Sequence, residues 1–270
     1  MKLKQFFEMY PVFRYEEFAS FMAKQGSAQP NTCRKLLSYH QKAGHLINIR
    51  KFLYAVKPML NQEAWIDPYL IAAKAAPDSI LGYHTALELH GIAYTTFNEF
   101  TYLTNRKRPA FTFESQGFRA ITQPKSLIVS AQTNFGIDVI IRSGIKIKLT
   151  CLERSIVDIL DRPDLGGGWE EIWRSFDYIT QLNLDRVVDY VLYLQNATTV
   201  AKLGYFLEQR PEHLSVDKKY IEKLRVNIPK QPHYMDRNRK GEGKYIEKWK
   251  LIVPLEIINR TWEEPGADNI

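Results

Sequence analysis

The sequence lacks the short motifs that mark most catalytic and metal sites. It has no glycine-rich loop followed by Lys-Ser or Lys-Thr for phosphates, no Gly-x-Ser-x-Gly nucleophile elbow, and neither His-Glu-x-x-His nor Cys-x-x-Cys for a metal. None of its six histidines lies three or four residues from another. These absences predict a protein that is not an enzyme and that has no catalytic residue, metal or cofactor.

Long apolar runs and cysteines are also scarce. No stretch of about 18 apolar residues could cross a bilayer, and the start MKLKQFFEMY lacks the apolar core and small-residue cleavage site of a secretory signal. We therefore expect a cytoplasmic protein with no membrane partner. The two cysteines, Cys33 and Cys151, each fall on the apolar stripe of a predicted helix, which favours buried reduced thiols over a disulfide.

The positive charge is concentrated near the start of the chain. The 270 residues contain 37 Lys+Arg and 30 Asp+Glu, which gives a net charge of +7. Residues 1–59 hold ten of these bases and three of the acids, so this segment accounts for the whole excess. Such an excess on a small segment is typical of proteins that bind polyanions, because each neutralised phosphate releases condensed counterions. A merely solvated basic surface is the alternative.

Hydrophobic spacing in the same segment predicts three short helices followed by a hairpin. Residues that start or stop the helices are Pro11, Gly26, Pro30 and Gly44. Leu46 to Arg50 and Leu53 to Val56 then have the composition of two strands. This order predicts a winged helix-turn-helix DNA-binding domain over residues 1–59, joined to the rest by a linker near Pro58 to Asp67.

The third helix is the one expected to enter the major groove of double-stranded DNA. Arg34 and Gln41 can read base edges, whereas Lys35 and Lys42 are suited to phosphates. His40 lies on the inner stripe and is expected in the core. The predicted DNA-binding residues are the outward residues of this helix and two at the tip of the hairpin: Asn31, Thr32, Arg34, Lys35, Ser38, Gln41, Lys42, Arg50 and Lys51. The alternative is that they are only the wet face of a core helix.

Residues 60–270 predict a larger α+β domain, because strand-like runs precede helical ones. Ser79 is in position to cap a helix that runs to His90, and helices are also expected around Leu184 to Leu192 and Val200 to Leu207. The strand-like runs are Phe100 to Leu103, Phe111 to Phe113, Phe118 to Ile121, Ser126 to Val129, Ile137 to Ile141 and Ile145 to Leu149. Their short length and the turn residues between them favour antiparallel pairing.

The stretch Leu149 to Trp173, LTCLERSIVDILDRPDLGGGWEEIW, has the pattern of a helical hairpin. Thr150 and Glu153 are spaced as a capping box. Arg154 and Asp158 lie four residues apart, where they can pair on the outer face of the first helix. A proline and three consecutive glycines then stop this helix, and two buried tryptophans are expected in the helix that follows.

The same stretch carries a family resemblance. Thr150 to Trp173 resembles the signature of the C-terminal domain of AbiEi, the antitoxin of a bacterial abortive-infection toxin–antitoxin pair, in which a Leu-Glu-Arg helix ends in Arg-Pro and a Gly-Gly turn. Gly243 to Tyr245 with Trp249 to Val253 is similar to that family's closing strand. The residues of this antitoxin-domain signature are Glu153, Arg154, Asp158, Arg162, Trp169 and Trp173.

The resemblance implies a transcriptional repressor and antitoxin with a role in phage defence. Such a protein binds its own operator, expected to contain inverted repeats, through an N-terminal winged helix. It also counteracts a cognate nucleotidyltransferase toxin, with or without direct contact. The family is not an enzyme.

Other functions remain open on the residues alone. One is a plain winged-helix transcription regulator whose C-terminal domain senses a ligand or assembles a dimer. Another is a metal-dependent nuclease of the restriction type, in which Asp138 would bind Mg²⁺ and Lys146 or Lys148 would polarise water, although an alternating strand on a charged surface has the same residues. The polar, basic stretch Gln231 to Gly243 is interpreted as a mobile surface loop.

Overall fold

The computed structural model describes residues 3–26, 29–57, 65–236 and 243–262. Within these ranges the chain contains both helices and antiparallel and parallel strand pairs, which confirms the predicted α+β class. No helix in the described ranges is long and apolar enough to cross a membrane.

The helices and strands have the following bounds. The helices are α1 (Leu3–Met9), α2 (Tyr15–Lys24), α3 (Pro30–Lys42), α4 (Pro68–Lys74), α5 (His84–Leu89), α6 (Lys125–Val129), α7 (Leu152–Asp161), α8 (Trp169–Asp177), α9 (Leu184–Tyr193), α10 (Ala197–Glu208), α11 (Lys218–Arg225) and α12 (Leu255–Asn259). The strands are β1 (Val12–Arg14), β2 (Leu46–Arg50), β3 (Leu53–Val56), β4 (Ile80–Leu81), β5 (Glu99–Thr104), β6 (Phe111–Phe113), β7 (Gln116–Thr122), β8 (Ile137–Arg142), β9 (Ile145–Thr150), β10 (His233–Tyr234), β11 (Gly243–Ile246) and β12 (Leu251–Pro254).

The contacts divide the chain into two compact units. The first unit is made of residues within 1–81, 98–122 and 138–149, and the second of residues within 82–97, 123–137 and 150–270. The predicted boundary after residue 59 falls in 58–64, outside the described residues, and the units do not follow it. One reason lies inside the first unit, where the Arg14 guanidinium donates to the carbonyl oxygen of Lys74, and the Lys74 ammonium pairs with Glu17.

The N-terminal part of the first unit has the predicted helices and hairpin. Its three strands form an antiparallel sheet in the order β1-β3-β2. The helices pack on this sheet through a cluster of buried side chains, which are Phe6, Phe13, Phe18, Phe21, Cys33, Leu37 and Leu46. The sequence did not predict β1, because its three residues are too few to show an alternating pattern.

The first unit also holds most of a six-stranded sheet in the order β6-β7-β5-β4-β9-β8. The expectation of antiparallel pairing is wrong for two of its pairs, since β5 lies parallel to β7 and β4 lies parallel to β9. The reason for the first is that the short strand β6 reverses the chain at the sheet edge. The chain then returns as β7 between β6 and β5, in the direction of β5.

Two segments have a secondary structure different from the predicted one. Ser126 to Val129 lies in the helix α6 and not in a strand, because Pro124 precedes it as the N-cap and five apolar-rich residues fit either period. Ser79 does not cap a helix. Its hydroxyl accepts a hydrogen bond from Ala76 N at 3.0 Å, and the chain continues as β4 before α5 begins at His84.

The helix α7 does not begin with the predicted capping box. Its N-cap is Cys151, and no side chain caps the helix there. Thr150 is instead the buried last residue of β9, and its hydroxyl lies 2.7 Å from the hydroxyl of Ser155. The Glu153 carboxylate accepts from the backbone N–H of Asn183 at 3.4 Å, so it reaches the start of α9.

The glycines between α7 and α8 allow close packing as well as a turn. Gly167 has φ +87°, and a Cβ built there would lie 2.6 Å from Phe97 Cζ and 2.8 Å from Glu171 Cγ. A Cβ on Gly166 would lie 2.6 Å from Ile159 Cγ2. Neither position accepts a side chain unless its neighbours move.

The last strands are anchored to α10 by a tryptophan. Trp249 is fully buried, and its ring occupies the space that a Cβ on Gly204 of α10 would need. The predicted closing strand is present as β12, although Trp249 itself lies in a 3-10 turn. The predicted surface loop is described only up to residue 236, and within it Met235 is buried rather than exposed; residues 237–242 lie outside the described part.

Candidate nucleic-acid interface and signature residues

The helix α3 has a buried face and an exposed face. Pro30 occupies the first turn, where its missing N–H costs nothing. Cys33 and Leu37 point into the N-terminal core. Of the predicted DNA-binding residues on this helix, Gln41 is half-buried and the others are exposed, namely Asn31, Thr32, Arg34, Lys35, Ser38 and Lys42.

The cations on this exposed face have no carboxylate neighbours. Among the described residues, Arg34, Lys35 and Lys42 form no ion pair. The acids of this segment are occupied elsewhere, because Glu8 pairs with Lys4, Glu16 with Arg14, and Glu17 with Lys74. Six exposed cations of the segment form no ion pair among the described residues. Three of them lie on α3 and one, Lys51, at the hairpin tip, where a phosphate backbone could replace the counterions, and the other two are Lys24 and Lys57.

The hairpin tip contains only Lys51 and Phe52. Phe52 has φ +68°, in the left-handed region, and its ring is 38% exposed with the Lys51 ammonium 5.2 Å from its centre. Lys51 is exposed, as a DNA contact requires. Arg50 is not at the tip surface, since it is half-buried with its guanidinium 4.5 Å from the centre of the Phe111 ring. The structure therefore separates Arg50 from the other predicted contacts.

Tyr39 is an exposed residue that the sequence reasoning missed. It lies on α3 between Ser38 and Lys42 with 63% of its surface exposed. The sequence does contain a signal for it, since Tyr39 is an aromatic residue next to predicted contacts on the outward side of a basic helix. Its ring and hydroxyl can contact a sugar or a base edge.

His40 is a packing residue, as its position on the inner stripe predicted. Its ring meets Phe7 edge-on at 5.1 Å, and its Nδ1 lies 3.1 Å from Nδ1 of His45. Burial, together with the neighbouring His45, lowers the pKa of His40. One of the two facing nitrogens must be unprotonated to accept the hydrogen bond.

In the second unit, the pair Arg154 and Asp158 is buried and not on the surface of α7 as predicted. Their side chains are 0% and 2% exposed, and Arg154 Nε donates to Asp158 Oδ2 at 3.1 Å. Arg154 also donates to the carbonyl oxygen of Phe135 at 2.7 Å and to Gln123 Oε1 at 2.8 Å. A buried charge is tolerated only with such partners.

Tyr190 of α9 completes this network. Its hydroxyl donates to Asp158 Oδ1 at 2.6 Å. Burial raises the pKa of the Asp158 carboxyl, and Arg154 and Tyr190 oppose the rise. The network thus joins α7, α9 and the segment before β8, so these two signature residues hold the unit together from inside.

The two signature tryptophans are buried, which confirms the prediction. Trp173 is 0% exposed and lies edge-on to Trp169 at 5.7 Å and to Phe206 of α10 at 6.1 Å. Trp169 Nε1 donates to Asp236 Oδ2 at 3.0 Å. Trp173 Nε1 meets no acceptor among the described residues, so its contribution is apolar packing.

Arg162 is the signature residue that faces a cavity. Its guanidinium makes two hydrogen bonds to Asp164, at 3.1 and 3.0 Å. The cavity has a volume of about 300 Å³ and is lined mainly by polar side chains. On its inner wall the buried Lys202 ammonium donates to the carbonyl oxygen of Leu160 at 2.8 Å. Thr199 and Asn196 both donate to Asp161 Oδ1 there.

A second buried polar cluster, around His84, was not predicted. His84 lies between two carboxylates, with Nε2 at 3.0 Å from Glu171 and Nδ1 at 3.1 Å from Glu88. Phe97 stacks on the imidazole at 3.8 Å. The two partners His84 and Glu171 are 87 residues apart, so no local pattern could have indicated them.

Glu171 is unusually well supplied with donors. Besides His84, it accepts from Ser175 Oγ, Thr95 Oγ1 and the backbone N–H groups of Tyr94 and Thr95. Burial alone would raise the pKa of Glu171, but these hydrogen bonds outweigh it and lower the pKa to about 2. Burial likewise lowers the pKa of His84, and Glu171 with Glu88 outweighs that effect and raises it.

These shifts predict how stability depends on pH. Because the pKa of His84 is raised by folding, its charged form stabilises the protein fully below the ordinary value of 6.5, and this contribution falls as the pH rises through the folded-state pKa. We expect His84→Gln to lower the free energy of unfolding by about 1.5 to 3 kcal/mol at pH 6, and by less at pH 9. Denaturant unfolding of both proteins between pH 5 and 9 measures this.

The control is His213→Gln, at an exposed histidine. Its effect should be smaller than that of His84→Gln at pH 6, because its one hydrogen bond, between Nε2 and the carbonyl oxygen of Ile179 at 2.8 Å, involves an exposed side chain. A His84→Gln difference that is the same at every pH would show that His84 is neutral in the folded protein.

The residues of the nuclease alternative lie on neighbouring strands. Asp138 on β8 and Lys146 and Lys148 on β9 are all exposed. In the described part of the chain, no group of three or more His, Cys, Asp or Glu side chains is placed to hold a metal ion.

Comparison with known proteins shows a similarity of fold to a solved structure. No family model matches the chain, nor does any curated protein. Among solved structures, the chain is similar to the crystal structure of the RV2827C protein from Mycobacterium tuberculosis, with a TM-score of 0.58 and 14% sequence identity over 93% of this chain and 90% of that one. At this identity the likeness concerns the fold alone.

Proposed function

We propose that this protein is a DNA-binding transcriptional repressor and antitoxin of the AbiEi type. It binds double-stranded operator DNA through α3 and the β2–β3 hairpin, and it counteracts a cognate nucleotidyltransferase toxin. The observation that carries the DNA-binding part is the exposed face of α3, on which Arg34, Lys35 and Lys42 have no carboxylate partner among the described residues.

The order of elements supports a winged helix. The chain runs α1, β1, α2, α3, β2, β3, and β1 pairs with β3 beside the hairpin. In winged helices the third helix enters the major groove and the hairpin touches the neighbouring backbone. Because the Arg50 guanidinium packs on the Phe111 ring, Lys51 is the main DNA-binding residue of the hairpin. We therefore assign most of the affinity for DNA to α3.

The antitoxin part rests on the resemblance of Thr150 to Trp173 to the AbiEi signature. Arg154, Asp158, Trp169 and Trp173 are buried. These residues therefore act by building the second unit, and any contact with a toxin uses side chains around them. The two members of the set that are not fully buried are Arg162, which lies beside the 300 Å³ cavity, and Glu153, with side chains 43% and 14% exposed.

A pair of single substitutions tests the DNA-binding part. Arg34→Ala should cost about 1 to 3 kcal/mol on operator DNA and little on random DNA if Arg34 reads a guanine. Lys42→Ala should weaken binding to both DNAs alike, because a phosphate contact carries no sequence information. Gel shifts with operator and scrambled duplexes at several salt concentrations measure both.

The matched control is Lys223→Ala, a lysine of α11 in the second unit that pairs with Asp189. It should leave both affinities unchanged. Equal losses on both DNAs for Arg34→Ala and Lys42→Ala would remove Arg34 from base recognition, and no loss for either would remove α3 from the interface. Growth rescue with the neighbouring gene's product tests the antitoxin part separately.

The polar cavity favours a second candidate, a winged-helix regulator that senses a small ligand. Lys202 is 6% exposed and forms part of the wall with Arg162 and Asp161, and concave sites with a few buried polar groups are typical of ligand pockets. Rescue from a toxin encoded next to the gene favours the antitoxin. Absence of rescue, together with DNA binding that changes in the presence of a metabolite extract, favours the sensor.

A further inference from the structure

The strand β8 forms one edge of the six-stranded sheet and carries exposed apolar side chains. Val139 is 56% exposed and Ile141 is 71% exposed. The other edge strand, β6, has three residues, whereas β8 has six. Because an exposed apolar edge strand is a template for pairing with another chain, β8 needs either protection or a partner.

The turn after β8 fixes which backbone groups face outward. Ser143 and Gly144 form a two-residue turn with φ of 48° and 77°, which is the conformation of a tight hairpin turn between β8 and β9. Such a turn makes Arg142 and Ile145 a hydrogen-bonded pair, and alternation then directs the N–H and C=O groups of Ile140 toward β9. The groups of Val139 and Ile141 consequently point to the free edge.

Two copies of β8 have complementary residues opposite each other when the strands run in opposite directions. Asp138 and Arg142 lie two residues on either side of Ile140, and Val139 and Ile141 lie one residue on either side. In an antiparallel pair centred on Ile140, each Val139 is opposite an Ile141 and each Asp138 is opposite an Arg142. A shift of the centre to Val139 or Ile141 puts each charge opposite an apolar residue or beyond the strand.

The charged residues at the ends of this segment are available for that pairing. Asp138 is exposed and forms no ion pair among the described residues. Arg142 Nε donates to Asp67 at 2.5 Å and its guanidinium lies 4.3 Å from the centre of the Tyr69 ring. The two Nη nitrogens make no hydrogen bond to the part of the chain that the structure describes, so they remain to meet a carboxylate.

We infer that β8 is the dimer interface of this protein, through which a second copy of the chain extends the six-stranded sheet across a two-fold axis at Ile140. The pair is held by four backbone hydrogen bonds from Val139 and Ile141, by apolar contacts between these side chains, and by two ion pairs between Asp138 and Arg142. The inference goes beyond the proposed function, and its test needs no DNA.

The first experiment measures self-association of the full chain by sedimentation at concentrations up to about 100 μM. The wild type should show a concentration-dependent dimer. Ile141→Lys should weaken dimerisation by at least about tenfold, because it places a charge opposite the apolar Val139 of the second copy and beside Lys146 of β9. Val226→Lys, at a residue that is 83% exposed in the second unit, is the matched control and should dimerise like the wild type.

The second experiment tests the register and does not depend on a disruptive change. A mixture of Val139→Cys and Ile141→Cys proteins should form a disulfide-linked dimer under mild oxidation, since directly opposite residues lie within disulfide reach. Each protein alone should cross-link poorly, because the residue opposite each cysteine is the other position. The native Cys33 and Cys151 are buried, and the wild type supplies the background.

A wild type that stays monomeric up to that concentration overturns the inference. So does a dimer that Ile141→Lys leaves intact, or cross-linking of Val139→Cys alone that equals the mixture. Each outcome leaves the DNA-binding proposal to be decided by the Arg34 and Lys42 substitutions, since a monomer can still bind a half-site.

Discussion

Reversing two charges on α3, with Arg34→Glu and Lys35→Glu together, is expected to reduce affinity for duplex DNA by at least about 100-fold at physiological salt. Lys35, which is suited to a phosphate, and Arg34, which is suited to a base edge, are both lost, and two anions now face the DNA. The slope of log affinity against log salt concentration should also become shallower by about 1, because one phosphate contact is lost. Both effects follow from the absence of carboxylate partners around these side chains among the described residues.

The control for this change is Lys218→Glu with Lys219→Glu on α11, which changes the net charge by the same amount. Both lysines are exposed and lie in the second unit. This variant should keep nearly all of the affinity and the salt slope. If the two double variants lose affinity equally, binding depends on the total charge of the protein, and the assignment of α3 is wrong. Circular dichroism melts establish that both variants are folded.

Trp173→Ala is expected to lower the free energy of unfolding by about 3 to 5 kcal/mol, which is a large share of the stability of a typical domain. The side chain is fully buried between Trp169 and Phe206, and the guanidinium of Arg210 lies 5.7 Å from its ring centre. Truncation leaves a cavity in contact with α8 and α10. A denaturant titration monitored by far-ultraviolet circular dichroism measures the loss.

Trp173→Phe is the matched control. It keeps most of the ring volume, and it removes an indole N–H that has no acceptor among the described residues. Its cost should be about 1 to 2 kcal/mol. If Trp173→Ala unfolds at the wild-type denaturant concentration, the tryptophan pair is not the centre of the second unit.

The same variant separates the two proposed activities. The N-terminal core consists of residues between Phe6 and Leu46 in the first unit, and Trp173 is not a member of it. Non-specific DNA binding by Trp173→Ala should therefore persist while rescue from the toxin is lost. Rescue by a variant that melts early would place the antitoxin activity in the N-terminal segment.

Periodicity and turn residues were enough to predict the N-terminal helices. Pro30 starts α3 and the inward positions Cys33 and Leu37 are buried as expected, because local spacing decides which face a short helix buries. Hydrophobic periodicity did not predict the correct secondary structure where segments were very short. Three residues formed β1, and an apolar-rich run of five became α6 rather than a strand.

The signature residues show why the sequence alone could not predict which charged side chains are buried. Arg154 and Asp158 are spaced like a surface ion pair, and the spacing is the same whether the pair lies in water or in the core. Burial was decided by distant groups, among them Tyr190 and Gln123. The His84 cluster had no signal at all, since Glu171 reaches it only through the folded chain.

The alternation of the chain between its two units has a consequence for the order in which they form during synthesis. The chain passes between the units at residues 81, 97, 122, 137 and 149, so neither unit is encoded by a continuous stretch. All members of the N-terminal core cluster have been translated once Leu46 is made, whereas β9 ends about 100 residues later. At about 5 to 20 residues per second, this interval lasts about 5 to 20 s. The candidate DNA-binding helix can therefore fold on the ribosome while residues 82–97 still wait for the helices that will cover them.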